Sequence, residues 1–586
     1  MKNEINEKLL SGIAKPEGLE EELYKKCRAR KHTREVAIRN AGVLAAFLVA
    51  GVGVCGHFGI KWMEKSRVSA DTQEFDVMPA GVLTTMMDPG IGADNGYAFA
   101  YSPDSFVYSP DWIDSLPADY NTEEYNAVKE SGFANVIRSP LSTFSADVDT
   151  ASYANVRRMI NEGYSPADIP DGAARTEEMV NYFRYSYDGP KEGEPFGVNA
   201  MIADCPWNEE HLLLQLGLQT EEVDFSEAGD SNIVFLIDIS GSMAEENKLP
   251  LLKQSFGLLV DELGQKDRVS IVTYAGGTAT ILDGVSGDDK EKILDALDNL
   301  QAGGSTYGSS AIEMAYQAAE KNFIENGNNR VILASDGDWN VGITSESALS
   351  ELIQEKKESG IYLSVLGFGM GNYSDARMET LADDGNGNYA YIDSLQEAKK
   401  VLVEELGANM VTVADDVKLQ MEFNPVYVSE YRLIGYDNRR LNTEDFEDDT
   451  KDAGEVGAGH SVTVLYELVP AGEEDDADAG LRYQTTGLTA EALGSNEWMT
   501  LAIRYKDPGE GDSKLLEYPI GAEYLTDGTG NDFRFAAAVA EFSMLLNDSE
   551  YKGDASYDHV LETLNDLQLD DEYRREFKEL VEKVTD

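Results

Sequence analysis

Asp238-Ile239-Ser240-Gly241-Ser242-Met243 follows an unbroken apolar run, Asn232-Ile233-Val234-Phe235-Leu236-Ile237, and precedes a polar turn and an amphipathic helical period near 249–263. An apolar run of that length, ending in a turn, reads as a strand buried on both faces. Asp238, Ser240 and Ser242 stand at alternate positions beyond its carboxyl end, so three side-chain oxygens face one crevice. In open α/β sheets that is where ligands bind. The oxygens are hard and two are neutral hydroxyls, a set suited to Mg²⁺ or Mn²⁺, which take oxygen ligands in octahedral geometry. Taken alone, the motif has a second reading, because Ser and Asp are also ordinary helix N-caps.

Two distant stretches extend the pattern. Gly303-Gly304-Ser305-Thr306 is a glycine-rich loop before a helical period, and Val331-Ile332-Leu333-Ala334-Ser335-Asp336-Gly337 is a second buried strand ending in Asp-Gly. Together the three stretches resemble the metal-ion-dependent adhesion site (MIDAS) of von Willebrand factor type A (VWA) domains. The resemblance implies that Asp238, Ser240, Ser242, Thr306 and Asp336 are metal ligands. It also implies that a partner's Asp or Glu carboxylate completes the coordination of Mg²⁺ or Mn²⁺.

Around this centre, strands and helices alternate from 231 to 410. Strands are expected near 232–238, 268–274, 278–283, 330–336, 361–367 and 388–392, with helical periods between them. Such alternation argues a doubly wound, mostly parallel sheet covered by helices. The VWA resemblance places 278–282 as an antiparallel edge strand. Residues 129–230 and 411–530 flank this domain. "SPLSTFSADVDTASYANVRR" (139–158) and "RTEEMVNYF" (175–183) resemble the region preceding VWA in a group of bacterial proteins. "FNPVYVSEYRLIGYDNR" (423–439) resembles the region that follows it. Asp147 and Asp149 have the look of metal ligands; a strand end with helix capping by Asp149 or Thr150 is the favoured reading. Alternating segments after 411 read as antiparallel strands. Strands from both flanks are expected to share one β-sandwich, with three carboxyl-terminal helices (531–586) packed on it.

The first 128 residues differ in character. Residues 1–39 are polar and carry a basic cluster, Lys25, Lys26, Arg28, Arg30, Lys31, Arg34 and Arg39. Residues 40–60 are mostly apolar and long enough to span a bilayer as a helix. Basic residues are denser before the span than after it, so the positive-inside rule places residues 1–39 in the cytoplasm and the body outside. A cleaved signal peptide is the rival, against which stand the long charged region and the lack of a small-residue cleavage site. A lipid anchor at Cys55 is a third reading, opposed by Val54. Residues 61–128 form an acidic stalk with no Lys or Arg from Val68 to Val128. They read as a spacer, with its scattered aromatics allowing a docking strip instead.

The formal net charge is −60. Residues 1–67 hold 13 basic and 8 acidic residues, so the remaining body is more negative still. Such a surface repels phosphate backbones and argues against nucleic acid as a partner. Only Cys205 lies beyond the apolar segment, so the body forms no internal disulfide. His32, His57, His211, His460 and His559 fall outside the metal loops, and no P-loop, HExxH or GxSxG occurs. Asp338 and Glu245 near the site are candidate bases only in a hydrolase reading. The sequence therefore points to a protein-binding module, in adhesion or envelope assembly, rather than an enzyme. The alternative is an adaptor for an ATPase, which the outward topology disfavours as a direct cytoplasmic partner, or for a signalling complex reached through residues 1–39.

Overall fold

The computed structural model describes residues 123, 125, 129–146, 149–222, 229–304, 311–337, 346–370, 375–405, 411–451, 453–472 and 487–585. The expected membrane span at 40–60, the basic segment before it, nearly all of the stalk, Asp147, Thr306 and Asp338 lie outside them. Among the described residues no helix is long and apolar enough to cross a membrane.

The chain opens with β1 (Ala134–Asn135), β2 (Leu141–Ser145), α1 (Ala151–Asn161), α2 (Thr176–Asn181), β3 (Phe196–Cys205) and β4 (Asn208–Thr220). An alternating series follows: β5 (Ser231–Asp238), α3 (Leu249–Glu262), β6 (Arg268–Tyr274), β7 (Thr278–Ser286), α4 (Lys290–Asp298) and α5 (Ala311–Lys321). It continues through β8 (Asn328–Ser335), α6 (Glu346–Glu358), β9 (Ile361–Phe368), α7 (Asp375–Asp384), β10 (Tyr389–Ile392) and α8 (Leu395–Lys399), which runs on as a π-turn, Lys400–Glu404. Then come β11 (Thr412–Phe423), β12 (Val428–Ile434), β13 (Gly454–Gly457), β14 (Ser461–Pro470), α9 (Ala490–Gly494), β15 (Glu497–Lys506) and β16 (Ser513–Gly521). Helices α10 (Asn531–Leu546), α11 (Tyr557–Asp566) and α12 (Glu572–Thr585) end the chain.

The central sheet has the order β10-β9-β8-β5-β6-β7. Its pairs are parallel except β6 with β7, so β7 is the antiparallel edge expected at 278–282. Every residue of β5 is buried. Alternate side chains go to opposite faces. Ile233, Phe235 and Ile237 pack with α3, α4 and α8, while Val234 and Leu236 pack with α5, α6 and α7. Burial on both faces is why this strand is apolar without alternation. β5 sits between β6 and β8, so the chain leaves it to opposite sides of the sheet. Its carboxyl end is a topological switch point, the position where such sheets form a crevice.

The flanks form two further sheets, β1-β12-β14-β4-β3 and β13-β11-β15-β16, with β2 added on β11. Strands from before and after the central sheet thus pair directly: β4 with β14, and β2 with β11. The two sheets face each other through rings, Phe423 on Tyr431 with centroids 4.1 Å apart and Phe196 against Tyr505 at 5.7 Å. Helices α10–α12 cover the outer face of the first sheet. There Phe535, Phe542 and Phe577 join Ile434, Leu465 and Leu213 in one core.

Asp149 corrects the expectation of a helix cap. Thr150 takes the N-cap position of α1 without a side-chain hydrogen bond. Asp149 instead accepts from the Tyr389 backbone N–H at 3.0 Å and from Arg439 Nη2 at 2.8 Å. It thereby satisfies one backbone donor on the outer edge of β10, the end strand of the sheet.

Asp149 belongs to a buried charge cluster between the central sheet and its flank. Arg175 Nη1 meets Glu178 at 2.5 Å and Glu379 at 3.0 Å, and its Nη2 meets Asp375. Arg439 meets Asp149, Glu379 and Asp383. Carboxylates outnumber guanidinium groups. Burial pushes Asp375 up to about 7 and Glu379 up to about 8, against the pull of Arg175. Burial also acts on Glu178, but Arg175 and the Ser152 N–H outweigh it and hold its carboxyl below the usual range. With the folded-state values of Asp375 and Glu379 raised, the folded protein holds more protons than the unfolded chain between about pH 4 and pH 8. Stability from these groups is present at the acid end and is lost as pH rises through the folded values. The melting temperature should therefore fall by several degrees from about pH 5.5 to about pH 8.5. Glu379→Gln should flatten that slope; an equally steep slope in the variant would place the titrating groups elsewhere.

Candidate functional site

The turn after β5 is organised by its own polar atoms. Asp238 Oδ1 accepts from the Ser240 N–H at 2.8 Å, and the Ser240 and Ser242 hydroxyls lie 2.9 Å apart. A single turn of 3-10 helix, Gly241–Ala244, carries Met243 into the core. The glycine-rich loop docks onto this turn by its backbone: Gly303 N donates to Ile239 O at 2.8 Å and Gly241 N to Gly304 O at 3.1 Å. Gly304 has φ +91°, and a Cβ there would press on Gly276 N at 3.0 Å, so the close approach of loops requires glycine. The loop is thus led to the crevice two residues before Thr306.

Asp336 follows β8, the neighbour of β5, so its carboxylate comes up beside Asp238. Both are buried, at 0% and 1% exposure for Asp238 and Asp336. Asp238 Oδ2 and Asp336 Oδ1 have no hydrogen-bond partner. The Tyr274 hydroxyl at the end of β6 lies beside Asp238 without a well-formed bond to it. Burial pushes Asp238 up to about 6; the hydrogen bonds from Ser240 oppose the rise and the charge of Asp336 adds to it. Two buried carboxylates, each with an unsatisfied oxygen, beside two hydroxyls bonded to one another are a donor set that fits a hard divalent cation. Among the described residues no cluster of three or more His, Cys, Asp and Glu is placed to hold a metal. The fit rests on hydroxyls instead.

Of the five ligands expected from sequence, the structure brings Asp238, Ser240, Ser242 and Asp336 to one crevice, and Thr306 lies outside the described residues. Sequence reasoning missed Lys248. Its ammonium donates to Asp336 Oδ2 at 3.1 Å with the side chain 6% exposed, and Glu245 Oε2 is 3.7 Å away. A lysine directly before an apolar helix reads as a solvated residue, and its burial depends on Gly369 at the far end of β9.

A parallel sheet with one antiparallel edge, and this donor turn at its switch point, defines a VWA-type α/β protein. The description "von Willebrand factor type A domain" matches residues 232–404, "von Willebrand factor" matches 119–215, and "Uncharacterized protein YfbK, C-terminal" matches 408–586. The protein described as "Uncharacterized protein YfbK" of Escherichia coli (strain K12) is 42% identical over 474 residues, covering 79% of this chain and 81% of that protein. The chain belongs to the YfbK family of VWA-domain proteins. Human inter-alpha-trypsin inhibitor heavy chain H4 is 29% identical over 164 residues, 27% of this chain and 17% of that one. A solved structure, von Willebrand factor type A from Catenulispora acidiphila, aligns over 65% of this chain and 88% of its own at 14% identity, with a TM-score of 0.36. VWA domains are in general modules of protein interaction, and they commonly bind a divalent metal.

Proposed function

We propose that this protein is a membrane-anchored, extracytoplasmic binding module whose partners engage a divalent metal held by Asp238, Ser240, Ser242, Thr306 and Asp336. The observation that supports it best is the pair of buried, unsatisfied carboxylate oxygens beside the Ser240 and Ser242 hydroxyls. Bound Mg²⁺ or Mn²⁺ would supply a positive Lewis-acidic point in an acidic surface. The chain's own residues do the rest. With the hydroxyls binding directly and the aspartates acting largely through water, the ion would keep local positive charge and an exchangeable position attractive to a partner's Asp or Glu carboxylate. The surrounding surface then supplies most of the affinity and specificity. Adhesion and assembly of an envelope complex both fit this chemistry.

Calorimetry of the full-length chain with Mg²⁺ and Mn²⁺ tests the site. A chain with net charge −60 collects cations at many exposed carboxylates. The readout is therefore the difference between wild type and the folded variants Asp238→Ala and Thr306→Ala. One tight site present in wild type and absent from both variants is expected; identical titrations would refute the assignment. The location is tested separately, with a protease added to intact cells. Loss of residues 129–586 with protection of 1–39 is expected, and full protection of the body would overturn the outward placement.

A further inference from the structure

Lys248 belongs to the crevice without belonging to its donor set. Its ammonium holds Asp336 Oδ2, while Asp336 Oδ1 is left without a partner. Its stem lies directly across Gly369, where a Cβ would collide with Cγ, Cδ and Cε of Lys248. Gly369 has φ +75°, a conformation that glycine adopts without strain. The arm is thus laid down over a position with no side chain, and its charge is delivered to the carboxylate that the metal-site reading assigns to the cation. A divalent ion and an ammonium seek the same buried oxygens and repel each other at this range. Glu245, 63% exposed and 3.7 Å from the ammonium, offers a second seat within a small swing of the side chain.

We propose that Lys248 is a tethered competitor for the metal site: its ammonium balances Asp336 in the metal-free protein and moves toward Glu245 when a divalent cation enters. This deepens the metal-site reading and rests on it. The site then has two states, one in which the chain's own cation offsets Asp336 and one in which the divalent ion does. Contacts that hold Lys248 on Glu245 favour loading. Movement of the arm also frees the surface of Gly369, whose carbonyl accepts from the Tyr391 hydroxyl on β10. The Tyr391 ring lies 5.4 Å from the guanidinium of Arg158 on the flanking helix α1.

Full-length wild type, Lys248→Met, Gly369→Ala and Asp238→Ala are titrated with Mg²⁺ alone, and each is melted with and without Mg²⁺. Lys248→Met should bind about tenfold or more tightly than wild type, because a buried like charge is removed. It should melt below wild type without metal and gain more from Mg²⁺. Gly369→Ala should shift affinity in the same direction by a smaller factor, since its methyl lifts the lysine stem while the charge is kept. Asp238→Ala should lose the site. Equal or weaker binding by Lys248→Met, with Asp238→Ala still losing the site, overturns the competitor role and leaves the metal site standing. Identical titrations in all four chains overturn both. If Lys248→Met does not fold, Lys248→Gln, which keeps a stem and a hydrogen-bond donor without the charge, decides: tighter binding supports the proposal, equal or weaker binding overturns it.

Discussion

Replacing Arg157 by Ala is expected to cost roughly 3–5 kcal/mol of stability, the range for breaking a buried ion pair by removing one partner. Arg157 lies on α1 and is 3% exposed. Its Nε donates to Asp393 Oδ2 at 2.8 Å, Nη1 to Glu576 at 2.9 Å and to the Tyr182 hydroxyl at 3.0 Å, and Nη2 to Glu397 at 2.7 Å. Those partners come from three places: the end of the central sheet, the carboxyl-terminal helix and the flank. Removal leaves Asp393, Glu397 and Glu576 facing one another, with Glu397 1% exposed. Burial already raises the Glu397 carboxyl above its usual range in spite of Arg157. Denaturant unfolding of wild type and variant measures the loss. A cost under about 1 kcal/mol would mean that the carboxylates reach water without the arginine. Adding Glu397→Gln to Arg157→Ala should recover part of the loss, because one stranded charge is gone.

Phe577→Ala should be comparably severe, about 3–5 kcal/mol, the usual cost of deleting a buried aromatic ring. Phe577 is fully buried on α12. Its ring meets Phe183 at 5.5 Å, Phe535 at 5.7 Å, Phe542 at 5.3 Å and Tyr153 at 6.3 Å. Edge-to-face pairs such as these add to the area buried. The ring thus joins the last helix to segments from both ends of the body. A melting curve that splits into two transitions would instead show that α12 unfolds apart from the rest.

The central sheet was the most legible part of the chain, and the reason is burial. Strands such as Ile233–Ile237 are enclosed on both faces, so they are written as apolar runs that few other structures require. The edge strand β16 escaped sequence reading because it is mostly exposed, carries Leu515 and Leu516 side by side and contains Pro519, which suits an edge and argues against a strand interior. The short β13, Gly454–Gly457, has too few side chains to show a period. At the site, Asp238, Ser240 and Ser242 were visible because their spacing is local, and Asp336 because it ends a second buried strand in a pattern that resembles the VWA site. Lys248, Arg157 and Arg175 were not, because their roles depend on partners from distant segments. Lysine and arginine are exposed by default, and nothing in their immediate neighbours announces burial.

The pairing of β2 with β11 and of β4 with β14 also sets an order of events as the chain is made. The Tyr431 hydroxyl binds the carbonyl of Leu141, 290 residues earlier. Synthesis runs from the amino end, and contacts so remote in sequence close late. The alternating unit from β5 to α8 is continuous and can complete its own sheet first. Until β11 and β14 arrive, β2 and β4 wait with unpaired edges, and β4 carries the run Leu212-Leu213-Leu214. That interval is when the newborn protein is most open to aggregation. A truncated chain ending near residue 405 should be protease-resistant from 231 onward and sensitive before it; protection of 196–220 at that length would show that the flank folds without its carboxyl-terminal partner.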